Sequence, residues 1–126
     1  MEQARSAVAE VWPWRGEPEL GLGTGSLCFR ESTGEGLDRE RLLSGQVHVR
    51  LRAGGEKLQP DCRRPRRRVK SLLRESGIAP GRRERLPFLF AGDELVWVAG
   101  LGYACGWQAG QGRPGIAVEW RANDLI

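Results

Sequence analysis

Apolar positions recur along this chain at two different spacings. Between residues 47 and 52, Val47, Val49 and Leu51 alternate with His48, Arg50 and Arg52. A period of two sends successive side chains to opposite faces of a strand, the apolar set inward and the basic set outward. That strand ends at Ala53-Gly54-Gly55-Glu56. Phe88-Leu89-Phe90-Ala91 and residues 94–99 form two further strands joined at Gly92-Asp93, and their dense apolar content implies cover on both faces. Residues 115–120 make a last strand. Residues 19–22 and 26–30 flank Gly23-Thr24-Gly25, a strand, turn and strand. The Gly21, Gly23, Gly25 spacing has a superficial likeness to a nucleotide-binding loop, but the segment after it is β-prone, so no helix N-terminus is there to hold a phosphate. A period near 3.6 governs residues 65–77: Val69, Leu72 and Leu73 share one side, and Arg66, Arg67, Lys70 and Arg74 the other. Pro65 suits the first turn of that helix and Gly77 its C-cap. A single helical turn between Pro80 and Pro87 adds Arg82, Arg83 and Arg85. At the start, Ala4, Ala7, Val8 and Val11 have helical spacing and Pro13 stops that helix; it reads as the tail of something upstream or as a native short N-terminal helix.

Composition adds limits. A length of 126 residues is about one domain. Forty per cent hydrophobic and 29% charged residues are ordinary for a folded protein, and eighteen glycines with seven prolines favour many turns between short strands. No apolar run approaches the roughly 18 residues that span a bilayer, and the first residues lack the apolar segment of a signal peptide, so the expected partners include no membrane and the expected location is cytoplasmic. Cys28, Cys62 and Cys105 are odd in number and widely spaced, without a CxxC pair, so no disulfide is expected, in keeping with a reducing compartment. With His48 they could supply four soft zinc ligands, but structural zinc sites usually bring ligands in close pairs. No metal is expected.

Charge changes the picture most. Ten basic and two acidic residues lie between Arg63 and Arg85, a net +8, while the whole chain carries +4, so the remainder is net −4. A patch of this kind attracts polyanions, where evenly spread basicity would say only that the protein is soluble. Arginine forks bond phosphate oxygens bidentately, and a row of them neutralises phosphates and releases counterions. Structured RNA suits such a face, because A-form duplexes are held mainly by phosphate and 2′-hydroxyl contacts. The same charge run could instead be a solvated face or dock on an acidic protein. The sole histidine, His48, reads as a core or surface residue, and no GxSxG, HExxH or Walker-type sequence is present, so catalytic residues are expected to be none.

Taken in order, Val49-Arg50-Leu51-Arg52-Ala53-Gly54-Gly55-Glu56, Arg67-Arg68-Val69-Lys70-Ser71-Leu72-Leu73, Gly77-Ile78-Ala79-Pro80, Arg83-Glu84-Arg85-Leu86-Pro87 and Ala91-Gly92-Asp93-Glu94-Leu95 resemble the C-terminal domain of tRNA(Ile)-lysidine synthetase. The likeness covers residues 47–120, with 12–46 similar to the linker strands that precede it; this divides the chain into residues 1–46, an N-terminal helix and linker strands, and 47–126, the domain itself. The resemblance implies an α+β fold: a small β-rich, sandwich-like module of unusual topology, related to a domain of the phenylalanyl-tRNA synthetase β subunit, with one main amphipathic helix and a short second helical turn. It implies a parent ligase that uses ATP to attach lysine to the wobble cytidine of tRNA-Ile, with this domain gripping the tRNA at its acceptor stem. Arg52, Arg67, Lys70, Arg83 and Arg85 are RNA contacts by position in the family; Arg63, Arg64, Arg66, Arg68, Arg74 and Arg82 are candidates from charge. Cofactors are expected to be none in this chain, ATP and Mg belonging to an absent catalytic domain whose Ser-Gly-Gly-x-Asp-Ser loop has no counterpart here. The chain is then a fragment or a lone homologue without chemistry. That upstream catalytic domain and a second copy of the chain are the other candidate partners, and a structural or dimerisation module, with Trp97 or Trp107 exposed for assembly, is the alternative reading. Gly81 stands where the family often has tryptophan.

Overall fold

A computed structural model of the chain describes residues 10–51 and 54–123. The N-terminal helix expected over residues 2–11 lies outside the described residues except at its end, and there the structure differs. Residues Val11–Trp14 form strand β1. Pro13 does not stop a helix; it sits in an edge strand, where a missing N–H costs no ladder bond.

The expected hairpin is present as β2 (Glu19–Gly21) and β3 (Gly25–Thr33). Next come β4 (Leu37–Asp38) and helix α1 (Arg39–Leu43), an element that periodicity did not bring out. Its signal is local: the Asp38 carboxylate caps the helix by accepting from the Arg41 N–H at 3.2 Å, and Leu42 anchors it in the core. Strand β5 (Val47–Leu51) buries Val47 and Val49 as its alternation requires.

A two-stranded ribbon follows, β6 (Lys57–Leu58) with β7 (Arg67–Arg68). Helix α2 (Val69–Glu75) begins at this point, four residues later than expected. The ladder to Lys57 and Leu58 keeps Arg67 and Arg68 extended, so Arg66 and Arg67 are not on the helix at all. Val69 and Leu73 are buried and Leu72 half-buried, as the 3.6 spacing requires. Ser76 caps the C-terminus, and Gly77 follows at φ 83°, a left-handed conformation that glycine adopts without strain. Helix α3 (Pro80–Arg83) is the expected single turn. The strands β8 (Pro87–Ala91), β9 (Glu94–Val98), β10 (Gly102–Tyr103) and β11 (Pro114–Ala122) complete the described chain.

Two antiparallel sheets result, ordered β1-β5-β8-β9-β10 and β2-β3-β11-β4. Both take strands from either side of residue 46: β1 pairs with β5, and β3 pairs with β11 over nine residues. The sheets share one core. Trp14 from the first stacks on Phe29 from the second at 4.6 Å between ring centres, and the Val118 N–H donates to the Tyr103 hydroxyl at 3.0 Å. Phe88, Leu89, Val96 and Val98 are wholly buried, each contributing about 1.5–3 kcal/mol by leaving water. This is the small, β-rich α+β module that the sequence predicts.

Two expectations fail. Trp97 and Trp107 are buried, at 4% and 6% exposure, so neither offers a surface for assembly. Cys62 and Cys105 are not idle thiols; they form a disulfide, with Cα atoms 5.2 Å apart across a separation of 43 residues. Long-range packing brings them together, which spacing along the chain does not encode. The argument for a reducing compartment from unpaired cysteines falls with that pairing; Cys28 alone is free. Among the described residues no helix is long and apolar enough to cross a membrane.

Candidate nucleic-acid interface

The arginine-rich stretch starts in a loop that is tied down at several points. Besides the disulfide, the Cys105 N–H donates to the Gln59 carbonyl at 2.6 Å, the Gln108 amide to Pro60 at 3.0 Å and the Gln59 amide to Arg64 at 2.8 Å. Asp61 accepts from the Arg63 backbone N–H at 2.9 Å, and that bond, more than the Arg63 charge, holds its carboxyl below the usual range. Arg63, Arg64 and Arg66 are exposed. Arg66 borders an open groove of about 710 Å³ that Glu56, Lys57, Asp93 and Glu94 also line.

Register makes the ribbon the most cationic element. Lys57 stands opposite Arg68 across the ladder, and both are exposed, with no acidic partner among the described residues. Like charges placed opposite each other destabilise a ribbon. An anion bound between them would remove that cost. Lys57 belongs to the cationic surface although sequence reasoning passed over it; the signal, visible only once β6 is known to exist, was a lysine in a two-residue strand.

Lys70 and Arg74 are one helical turn apart on α2, both exposed, and Arg74 in the last turn also complements the helix dipole. Arg82 and Arg85 are exposed on and after α3, beside Trp120. Of the sequence-predicted contacts, Arg63 makes a loose ion pair with Asp61 at 3.5 Å, and Arg67 and Arg83 are held more closely by the protein itself. Arg67 is half-buried in a two-pronged ion pair with Glu75, one bond of 2.8 Å joining Nη1 to Oε1, and this pairing holds the Glu75 carboxyl below its usual range. Arg83 is half-buried, its Nε donating to the Ile78 carbonyl at 2.8 Å. Arg67 thus has both prongs of its fork on Glu75, and Arg83 is anchored through its Nε. Arg52 lies outside the described residues.

Elsewhere, cations serve the fold. Arg113 bonds Asp38 at 2.6 Å and Glu40 at 3.1 Å, while Arg41 and Arg50 lie over the rings of Trp107 and Phe90 at 3.9 and 4.0 Å. His48 stacks parallel on Phe90, and burial first and Arg50 second push its pKa below 6.5. Among the described residues no group of three or more His, Cys, Asp or Glu is placed to hold a metal.

A family model described as the TilS substrate C-terminal domain matches residues 47–120. The chain belongs to that family. Curated relatives agree: the tRNA(Ile)-lysidine synthase of Nitrosomonas europaea is 43% identical over 114 residues, covering 89% of this chain and 25% of that protein, and that of Azoarcus sp. is 36% identical over 120 residues, covering 95% and 26%. The chain thus spans about a quarter of the length of these relatives. A solved TilS C-terminal domain superposes with a TM-score of 0.67 at 20% identity, covering 91% of this chain and 99% of that one, and so shares its fold. Residues 47–120 of this TilS C-terminal domain take in the ribbon, α2, α3 and the arginine-rich stretch from Arg63 to Arg85.

Proposed function

We propose that this chain is the tRNA-gripping part of an ATP-dependent tRNA(Ile)-lysidine synthase, holding tRNA-Ile at its acceptor stem while the chemistry, with ATP and Mg, takes place on another part of the enzyme. The observation that carries the reading is the exposed cationic surface of the ribbon and α2, above all the unneutralised Lys57–Arg68 pair with Lys70 and Arg74. Such a surface supplies phosphate contacts that position a duplex without reading its sequence. In this reading the domain's role is binding and orientation.

Titration with an isoleucine tRNA at rising salt tests it. Affinity should fall log-linearly with a slope of several phosphates, and a flat response would refute the reading. A packing or dimerisation role has one observation in its favour: Val11 and Leu43, 52% and 45% exposed, border the same shallow groove. Charge reversal at Lys70 and Arg74 separates the two, abolishing tRNA binding under the first and sparing it under the second.

A further inference from the structure

A second feature lies beside the arginine surface, in a cleft of about 350 Å³ between α3 and the end of β11, bordered by Thr24, Arg82, Arg85, Leu86, Trp120 and Asn123. Trp120 has the same strand parity as the buried Ile116 and Val118, yet it is only half-buried: it packs against the core and also lines the cleft. Its seat is specific. A side chain at Gly25 would collide with the Trp120 ring and with the backbone of Arg121 and Ala122, so the indole rests on bare backbone at that point. Asn123 is fixed across the cleft floor, its backbone N–H donating to the Thr24 carbonyl at 2.9 Å and its side-chain amide to Gly23 at 3.1 Å. The Thr24 hydroxyl is withdrawn from solvent without a hydrogen-bond partner among the described residues. Arg85, exposed at the rim, has no acidic partner among them.

A flat aromatic ring beside the exposed Arg85 guanidinium matches the parts of a nucleotide: a base face and a phosphate. The interior base pairs of a duplex cannot offer a base face, because each is stacked on both sides. We propose that this cleft takes one unstacked nucleotide of a single-stranded RNA segment, the base against Trp120 and the phosphate on Arg85. This deepens the tRNA-binding reading and rests on it.

The test uses the 126-residue chain with a short unstructured RNA oligonucleotide, a two-stranded blunt-ended RNA duplex and isoleucine tRNA with or without its single-stranded 3′ end. Trp120→Leu should weaken oligonucleotide binding by roughly five- to a hundredfold, the range of one lost base–aromatic stack, and leave duplex binding unaffected. Arg85→Gln should weaken it as well. Trp120→Phe keeps a ring and the fold, and should keep affinity while losing the indole fluorescence quenching that a stacked base causes in the wild type. A loss on trimming tRNA that vanishes in the Trp120→Leu variant assigns the nucleotide to the 3′ end; a Trp120 dependence that survives trimming assigns it to a looped-out base. Oligonucleotide binding indifferent to Arg85→Gln, with quenching unchanged in Trp120→Phe, overturns the cleft proposal while leaving the duplex surface standing. Failure of the wild type to bind any of the RNAs overturns both.

Discussion

Replacing Arg68, Lys70 and Arg74 together by glutamine isolates the electrostatic part of RNA binding. All three are exposed and none has an acidic partner among the described residues, so the fold loses no ion pair and the β6–β7 ribbon is relieved of one like-charge contact. If each neutralises one phosphate, the slope of log affinity against log salt should shrink by about 0.9 per residue, or roughly 2.7 in all. Between 50 and 200 mM salt, a fourfold change, the wild type should therefore lose about fortyfold more affinity than the triple variant. Fluorescence anisotropy with labelled tRNA across that range measures both slopes. Arg67→Gln is the internal control: its fork is held by Glu75, so its slope should stay near that of the wild type. Equal slopes for the wild type and the triple variant would refute the assignment of this face to phosphate contacts.

Leu73→Ala removes a side chain with 0% exposure from beneath α2 and should cost about 2–5 kcal/mol in urea unfolding, with tRNA affinity unchanged where the variant is folded. Alkylation without reductant should label Cys28 alone and after reduction all three cysteines; opening the 43-residue-separated bridge should lower stability by up to about 4 kcal/mol in the chain-entropy picture, and three labelled thiols before reduction would disprove the pairing. His48 is kept neutral by burial and by Arg50, so the unfolded chain takes up its proton first: stability should hold above pH 6.5, fall as pH drops through 6.5 to the lower folded value, and level off below it. Chemical denaturation across that window should show the slope in the wild type and a flatter profile in His48→Gln.

Two kinds of information separate cleanly in this chain. The sequence by itself determined the elements with strong periods and clear punctuation: β5 from its alternation, the β8–β9 hairpin from its apolar runs around Gly92-Asp93, and the apolar stripe of α2 with its Gly77 cap, because local sterics and one-sided burial act within a few residues. It also determined the cationic character of residues 63–85, since charge is a property of composition, and the family, through a series of short motifs in fixed order. Tertiary structure alone decided the rest. Pairing with β6 took Arg67 and Arg68 out of the helix, because a ladder to a partner strand overrides a weak helical propensity. Packing turned Trp97 and Trp107 inward, and joined Cys62 to Cys105. Above all, it sorted the cationic side chains, engaging Arg67 and Arg83 within the protein and leaving Arg68, Lys70, Arg74 and Arg85 exposed. Whether a guanidinium is spent inside the molecule depends on which acceptor the fold brings within about 3 Å of it.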